Sequence, residues 1–357
     1  MTPTQTIAEK LLASAQNYFP SSALFEITRR CNLTCRYCYQ RQENTNNTQN
    51  LSTDDCKTIL DRLHAAGVLS LCITGGEPFI RHDLLPILDH IRSRDFFSTT
   101  FMSNGSLINK EHCTYLKRHA SYFPAIKLSA FSHIPAIHDA FTGMAGSLNA
   151  LIENGKRLQD SYIAVSISLN LIDTNLETYK ETAEFFQALG FTLEYGLEKI
   201  INNDYVEKSW LEKMVTVEFL SRYIQLTHND LCKGIVQNYR FFVNAKEGDL
   251  RPCIGLTQEV SIDADGNIRP CINFQKLLIG NILKDNRPLN EILKSHQEYR
   301  HIRAIKKTDI PACRSCKHLY FCYPCLGIMH TTTGGFSTPP ITSCNYATAL
   351  EQFAQSA

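Results

Sequence analysis

The sequence predicts an α/β protein with parallel strands, followed by a small cysteine-rich C-terminal region. Three observations carry this. Six strand-like runs alternate with five helical patterns between residues 23 and 199. The texture changes near residue 246 to short segments rich in Cys, Gly and Pro. Seven of the fourteen cysteines crowd into the stretch from Cys253 to Cys344.

The strand-like runs are 23–28 (ALFEIT), 70–74 (SLCIT), 97–102 (FSTTFM), 125–131 (AIKLSAF), 163–171 (IAVSISLNL) and 191–197 (FTLEYGL). Each is of strand length, rich in β-branched or aromatic residues, and bounded by turn formers. Between them, Ser52 and Asp55 frame a capping box that opens a helix through Ala66, closed by Gly67. Helical patterns then run from Asp83 to Arg94, Lys110 to His119, Ser147 to Gln159, and Leu176 to Leu189. Such alternation requires parallel strands joined by right-handed crossovers. An open doubly wound sheet and a full or partial β/α barrel both satisfy it. In either, reactive groups belong at the carboxyl ends of the strands. Those ends carry Thr28-Arg29-Arg30-Cys31, Thr74-Gly75-Gly76-Glu77, Ser103-Asn104-Gly105 and Ser129.

Residues 1–20 read as an amphipathic helical extension, 21–245 as the core domain with a helical bridge over 205–245, and 246–357 as a second domain. Within the last, Val260 to Ile268 forms a hairpin pattern turning at Asp265-Gly266. So small a region has little core of its own and calls for metal staples.

At 357 residues, 43% hydrophobic and 20% charged, the chain is long enough for two domains and is not a disordered one. Its 36 basic and 35 acidic residues offer no electrostatic footprint for a nucleic acid or an acidic membrane, so neither is expected as a partner. No run of 18 apolar residues is present, and the N-terminal stretch lacks a signal-peptide pattern. The expected location is the reducing cytoplasm, where thiols stay thiols unless a metal claims them. The isolated Cys56, Cys72, Cys113 and Cys232 are expected as small buried hydrophobes.

Cys31, Cys35 and Cys38 form C-x3-C-x2-C just beyond the first strand. Structural zinc wants four closed ligands. An iron–sulfur cluster held by three thiolates keeps one iron open, as a substrate-binding centre requires. This motif, with Tyr37 before its third Cys, resembles the signature of the radical S-adenosylmethionine enzymes, and Gly75-Gly76-Glu77-Pro78 at the end of the second strand resembles that family's glycine-rich motif. The resemblance covers about residues 21–245 and implies a partial (β/α)6 TIM-like barrel. It implies a 4Fe–4S cluster on Cys31, Cys35 and Cys38, with S-adenosylmethionine chelated to the open iron. It places Gly75 and Gly76 at the ligand's ammonium, Glu77 in the network beside it, Tyr37 at adenine, Ser129 at ribose and Asn104 at the family's Asn-Gly position. The chemistry it implies is reductive cleavage to a 5′-deoxyadenosyl radical that takes hydrogen from a C–H bond, with a flavodoxin- or ferredoxin-type protein as low-potential electron donor. Arg29, Arg30 and Arg36 would offset the cluster's charge or form a solvated basic edge.

The second cysteine set, Cys253-x12-Gly266-x4-Cys271 followed by Cys313-x2-Cys316-x5-Cys322-x2-Cys325 and Cys344, resembles the SPASM extension of the same family. That extension carries two auxiliary iron–sulfur clusters. By resemblance, Cys313, Cys316, Cys322 and Cys344 hold one; Cys253, Cys271 and Cys325 hold the other, without an identified fourth ligand. The family spaces its third and fourth clustered cysteines by three residues, whereas Cys322 and Cys325 are separated by two. The competing pattern is a zinc ribbon of Cys313, Cys316, Cys322 and Cys325, which leaves Cys253, Cys271 and Cys344 unused.

Enzymes with this extension mostly modify peptides or proteins; sulfatase maturation and tetrapyrrole side-chain chemistry are the alternatives. Ile272 follows Cys271 where sulfatase-maturing relatives carry an acid. About 22 residues precede the first strand, too few for a fused precursor-recognition domain, so a peptide substrate would need a separate adaptor or direct leader binding. The expectation is oxidative maturation or cross-linking of a ribosomally made peptide. The reading from another class is a non-catalytic iron–sulfur or zinc scaffold. No general base is identified, because His133, His138, His318 and His330 read as surface or packed residues.

Overall fold

The computed structural model describes residues 20–38, 40, 51–196, 214–227, 251–253, 256, 258–319 and 322–356. The proposed N-terminal helix, most of the 205–245 bridge and Cys232 lie outside the described residues.

Six parallel strands form the core: β1 (Ser22–Glu26), β2 (Ser70–Thr74), β3 (Ser98–Ser103), β4 (Ala125–Ala130), β5 (Ala164–Asn170) and β6 (Thr192–Gly196). All six lie within two residues of the predicted runs. The connecting helices are α1 (Thr53–Ala65), α2 (Leu84–Ser93), α3 (Lys110–Arg118), α4 (Pro135–Thr142), α5 (Ser147–Asp160) and α6 (Tyr179–Ala188). Ser52 caps α1 as expected: its hydroxyl accepts the Asp55 amide and the Asp55 carboxylate accepts the Ser52 amide, both at 3.0 Å. Loss of such a cap costs about 1 kcal/mol. The predicted helix from Leu176 starts with a 3₁₀ turn, Leu176–Thr178, before α6.

Helix α4 was not among the predicted elements. Eight residues is too short for a clear period, but its ends carry the signals: Pro135 in the first turn, and Gly143 at φ +73° after the last. The omission matters because α4 seats the cysteine loop described below.

The hairpin appears where predicted, as β7 (Glu259–Ile262) and β8 (Asn267–Arg269), with β9 (Gly280–Asn281) beyond it. It does more than fold on itself. Strand β7 pairs in parallel with β1, so the sheet runs β6-β5-β4-β3-β2-β1-β7-β8-β9. The six α/β strands therefore do not close on themselves, and the barrel is partial. Period-2 alternation divides the sheet. Phe25, Ile73, Phe101, Ile126, Ile167 and Ile262 join the helices in the main hydrophobic core. The alternate positions, among them Glu26, Thr74, Thr100, Lys127, Ser129, Ser166 and Ser168, present polar groups to the other face. Helices therefore cover one side, and the other is left for polar chemistry.

The remaining described helices are α7 (Val217–Thr227), α8 (Leu289–Ser295), α9 (Gln297–Ala304), α10 (Leu326–Thr333) and α11 (Ile341–Ser356). A second, smaller core joins Leu256, Phe274, Ile302, Ile310, Leu326 and Met329, and Cys313, Cys253 and Cys271 pack with it. The C-terminal α11 returns to the main core through Ala349 and Leu350, beside α7.

Candidate functional site

The loop after β1 carries Cys31, Cys35 and Cys38 across the carboxyl ends of the strands. Two backbone bonds anchor it to the end of α4: Thr34 N to Thr142 O at 2.9 Å and Arg36 N to Phe141 O at 3.2 Å. A Cβ on Gly143 would stand 2.1 Å from Thr34 Oγ1, and its φ of +73° also favours glycine at this close seat. The loop is drawn toward β2 from its other side. Gly76 N donates to Thr28 O and Glu77 N to Arg30 O, each at 2.8 Å. A Cβ on Gly75 would lie 2.3 Å from Thr28 O, and one on Gly76 2.3 Å from Arg30 O. Bare backbone at both positions lets the second strand's end press against the residues leading into Cys31.

Glu77 is fully buried. Its Oε1 accepts Ser103 Oγ at 2.8 Å and Phe79 N at 3.1 Å; its Oε2 accepts Asn104 N at 2.8 Å. Burial pushes the carboxyl up to about 7, and these donors oppose the rise. The Asn104 side chain in turn reaches Cys31 Sγ at 3.7 Å and Asn32 Oδ1 at 3.0 Å. Leu33 N also points at Cys31 Sγ, at 3.4 Å. Burial drives the Cys31 thiol up to about 12, against these donors and together with the charges of Glu77 and Cys38. Such a thiol deprotonates when a metal cation supplies the compensating charge. N–H groups aimed at sulfur are the usual outer shell of thiolate-held iron. The donor set fits a cluster.

Tyr37 packs against the contacting pair Phe131 and Phe141, with centroids 5.5 and 5.0 Å away, and Asn170 Nδ2 donates to its hydroxyl at 3.2 Å. These rings make an aromatic wall at the ends of β4 and β5. Ser129 sits in register with Ser168 on the polar sheet face, two residues before that wall. Arg29 is not simply a solvated edge: its guanidinium pairs with Asp265 in the hairpin turn, tying the cysteine loop to β7 and β8.

The C-terminal thiols separate into two groups. Cys313 lies within electrostatic reach of Cys344 and Cys316, and Cys322 of Cys344, Cys313 and Cys316. Cys271 interacts instead with Cys325 and Cys253. Cys253, Cys271 and Cys325 line a cavity of about 280 Å³ with Leu256, Asn273 and Tyr323. Asn273 Nδ2 donates to Cys325 Sγ at 3.5 Å, and His318 N to Cys316 Sγ at 3.4 Å. Burial raises Cys313 to about 11 and Cys322 to about 12, so these thiols also favour a metal partner. The zinc ribbon pattern would have needed Cys325 among Cys313, Cys316 and Cys322; Cys344, in the first turn of α11, stands there instead. Among the described residues, no group of three or more His, Cys, Asp or Glu closes around a single metal ion.

Outside these groups, Cys56 and Cys113 are buried in the core, and Cys72 is partly buried on β2. His138 is packed beside Phe131, and burial lowers it to about 4. His133 meets Thr182 at 2.8 Å, and His318 pairs with Glu351 at 2.9 Å. Two contributors, Asn32 and Thr34, carried no signal of their own in the sequence, because both occupy variable positions of the C-x3-C-x2-C motif and act through Asn104 or through the seat on α4.

Comparison with known proteins agrees with this layout. The profile of the radical SAM superfamily matches residues 25–186, and that of the SPASM iron–sulfur cluster-binding domain matches residues 253–317. The chain is 26% identical over 326 residues to AlbA, the antilisterial bacteriocin subtilosin biosynthesis protein of Bacillus subtilis (strain 168), covering 87% of this chain and 70% of that protein. It is 23% identical over 332 residues to the AdoMet-dependent heme synthase of Nitratidesulfovibrio vulgaris, covering 87% and 88%. Its fold matches Streptococcus suis SuiB bound to the precursor peptide SuiA, with TM-score 0.69 and 19% identity over 94% of this chain and 79% of that one. No helix among the described residues is long and apolar enough to cross a membrane. A partial barrel with three thiols on its cofactor face, joined to a cluster-binding extension, leads to one conclusion: the chain belongs to the radical SAM superfamily with a SPASM domain, and its cofactors are a 4Fe–4S cluster with S-adenosylmethionine and auxiliary iron–sulfur clusters.

Proposed function

We propose that this enzyme matures a ribosomally synthesised peptide by removing hydrogen from an unactivated C–H bond. What supports the reading is the similarity to AlbA, which runs through both the barrel and the cluster-binding region and so covers 87% of the chain. The fold shared with SuiB, solved with its precursor peptide, is consistent with it.

In this reading Cys31, Cys35 and Cys38 hold the first cluster, which with S-adenosylmethionine supplies a 5′-deoxyadenosyl radical when reduced. Asn104 and Leu33 N orient the Cys31 sulfur. Glu77 fixes Asn104, and Gly75 and Gly76 keep the strand end close enough for both. The Tyr37 ring offers its face to adenine, and Ser129 its hydroxyl to ribose. Cys313, Cys316, Cys322 and Cys344 hold one auxiliary cluster; Cys253, Cys271 and Cys325 hold the other. The apolar wall behind the first loop excludes water that would quench a radical. A flavodoxin- or ferredoxin-type protein delivers the electron, and a peptide leader docks directly or through an adaptor. The domain division at residues 20 and 245 belongs to the same proposal.

A second reading, tetrapyrrole side-chain chemistry, has its own support in the similarity to the heme synthase over 87% of the chain. One experiment separates them. The reconstituted protein is reduced with S-adenosylmethionine and offered either a deuterated precursor peptide encoded beside its gene or a carboxylated tetrapyrrole. Deuterium in 5′-deoxyadenosine and a two-hydrogen mass loss in the peptide are expected; transfer only from the tetrapyrrole would reverse the assignment. Cys35→Ala should abolish 5′-deoxyadenosine formation, while Cys113→Ala, a core thiol, should leave it nearly unchanged.

A further inference from the structure

A small polar recess of about 30 Å³ lies on the polar face of the sheet, lined by Glu26 at the end of β1 and Asp263 just past β7. Gln40, two residues past Cys38, lines it from the first cysteine loop, and Ile272, directly after Cys271, lines it from the C-terminal region. Asp263 accepts the backbone N–H groups of Asp265 and Asn267 at 3.0 and 2.9 Å and pairs with Arg269 at 3.2 Å. Gln275, also in the lining, donates its Nε2 to Ile272 O at 2.5 Å. Gln40 stands apart. It is 2% exposed, yet among the described residues neither its amide oxygen nor its amide nitrogen has a hydrogen-bond partner. Burying a carboxamide in this way is costly unless a ligand replaces the lost hydration.

We propose that this recess is a substrate subsite that receives one amide edge of the peptide, with Gln40 as its specificity-determining residue. The proposal rests on the peptide-maturing reading. A carboxamide offers an acceptor oxygen and two donor protons, so its complement is a group with a donor and an acceptor side by side. Two parts of a peptide present such an edge. One is the side-chain carboxamide of an Asn or Gln; the other is the N–H and C=O of a single extended residue, which point the same way from a strand. An ionised tetrapyrrole carboxylate carries acceptors only and would leave the Gln40 oxygen unpaired. The volume has room for roughly two waters, or for the O, C and N of one amide in their place. Because the recess lies between the residues that follow Cys38 and those that follow Cys271, a peptide gripped there runs between the first cysteine loop and the Cys271 group.

The test uses the full-length holoenzyme and the precursor peptide encoded beside its gene, with the two-hydrogen mass loss as readout. A wild type that leaves the peptide unchanged defeats the peptide reading, and the subsite with it, before any variant is made. With an active wild type, Gln40→Met, similar in size but unable to pair, should raise KM for the peptide roughly tenfold and lower kcat by less. Precursors are then altered one position at a time: Asn to Leu, Gln to Met, or a backbone N–H replaced by an ester oxygen. One alteration should weaken binding to the wild type and cost nothing further in Gln40→Met. A side-chain change with that behaviour identifies an Asn or Gln; an ester identifies a backbone edge. Equal KM in Gln40→Met and the wild type, or every alteration adding fully to Gln40→Met, shows that the recess holds water alone and overturns the proposal. If Gln40→Met loses iron, the same comparison passes to Gln40→Glu, which keeps the shape without the amide protons. Loss of iron in both shows that Gln40 only supports the cysteine loop, and overturns it.

Discussion

The backbone N–H of Asn104 donates to Glu77 Oε2 at 2.8 Å, and through that bond a fully buried carboxylate holds the residue whose side chain reaches Cys31 Sγ. Glu77 and Asn104 end neighbouring strand segments, and neither faces solvent freely. Three donors converge on the carboxylate, yet burial still holds it near 7. The network is therefore poised between two protonation states close to neutral pH.

This gives a stability signature. Between the ordinary carboxyl value of 4.5 and about 7, the folded chain keeps a proton that the unfolded chain has released. Stability from this residue is thus level below pH 4.5, falls as pH rises through the window, and is level again above it. A shift of this size corresponds to a fall of roughly 3 kcal/mol. Glu77→Gln cannot titrate, so anaerobic thermal melts at pH 5 and pH 7.5 should differ less in the variant than in the wild type. Identical pH slopes in the two proteins would mean that Glu77 does not carry the effect.

How much of this was visible beforehand depends on the length scale of each signal. The six strands and the α1 cap were legible because period-2 runs and the Ser52–Asp55 box are local. Cys31, Cys35, Cys38, Gly75, Gly76 and Glu77 were legible because they lie in two short motifs. Helix α4 was hidden by its length, although Pro135 and Gly143 marked both ends. The pairing of β7 with β1 joins residues more than 230 positions apart, and nothing local in either strand encodes it. The same holds for Arg29 with Asp265.

The glycine pair supports a steric prediction. In Gly76→Ala the new methyl carbon would stand 2.3 Å from Arg30 O and 2.6 Å from Arg29 O. Both obstacles are backbone, so the strain cannot be relieved by a rotamer change and should exceed the 1–3 kcal/mol (about) typical of overpacked cores. The segment that must yield leads straight into Cys31. The variant should lose about four irons per chain while keeping its auxiliary clusters, and should form little 5′-deoxyadenosine. Full iron with normal cleavage would show that the strand end can retreat without disturbing the loop.

The division of the C-terminal thiols makes a prediction that the zinc ribbon pattern reverses. Cys322 and Cys344 interact with each other, whereas Cys325 belongs with Cys253 and Cys271 across the cavity. If two clusters follow this division, Cys322→Ser and Cys344→Ser each remove the same set of about four irons, and combining them removes no more. Combining Cys322→Ser with Cys325→Ser instead removes about eight, because the two losses are independent. A ribbon would couple Cys325 to Cys322, leave Cys344→Ser with full metal, and show zinc. Iron and zinc measured per chain in these four variants therefore separate the arrangements without any assay of substrate turnover. They also test the two-residue spacing between Cys322 and Cys325, because those adjacent thiols must point to different clusters.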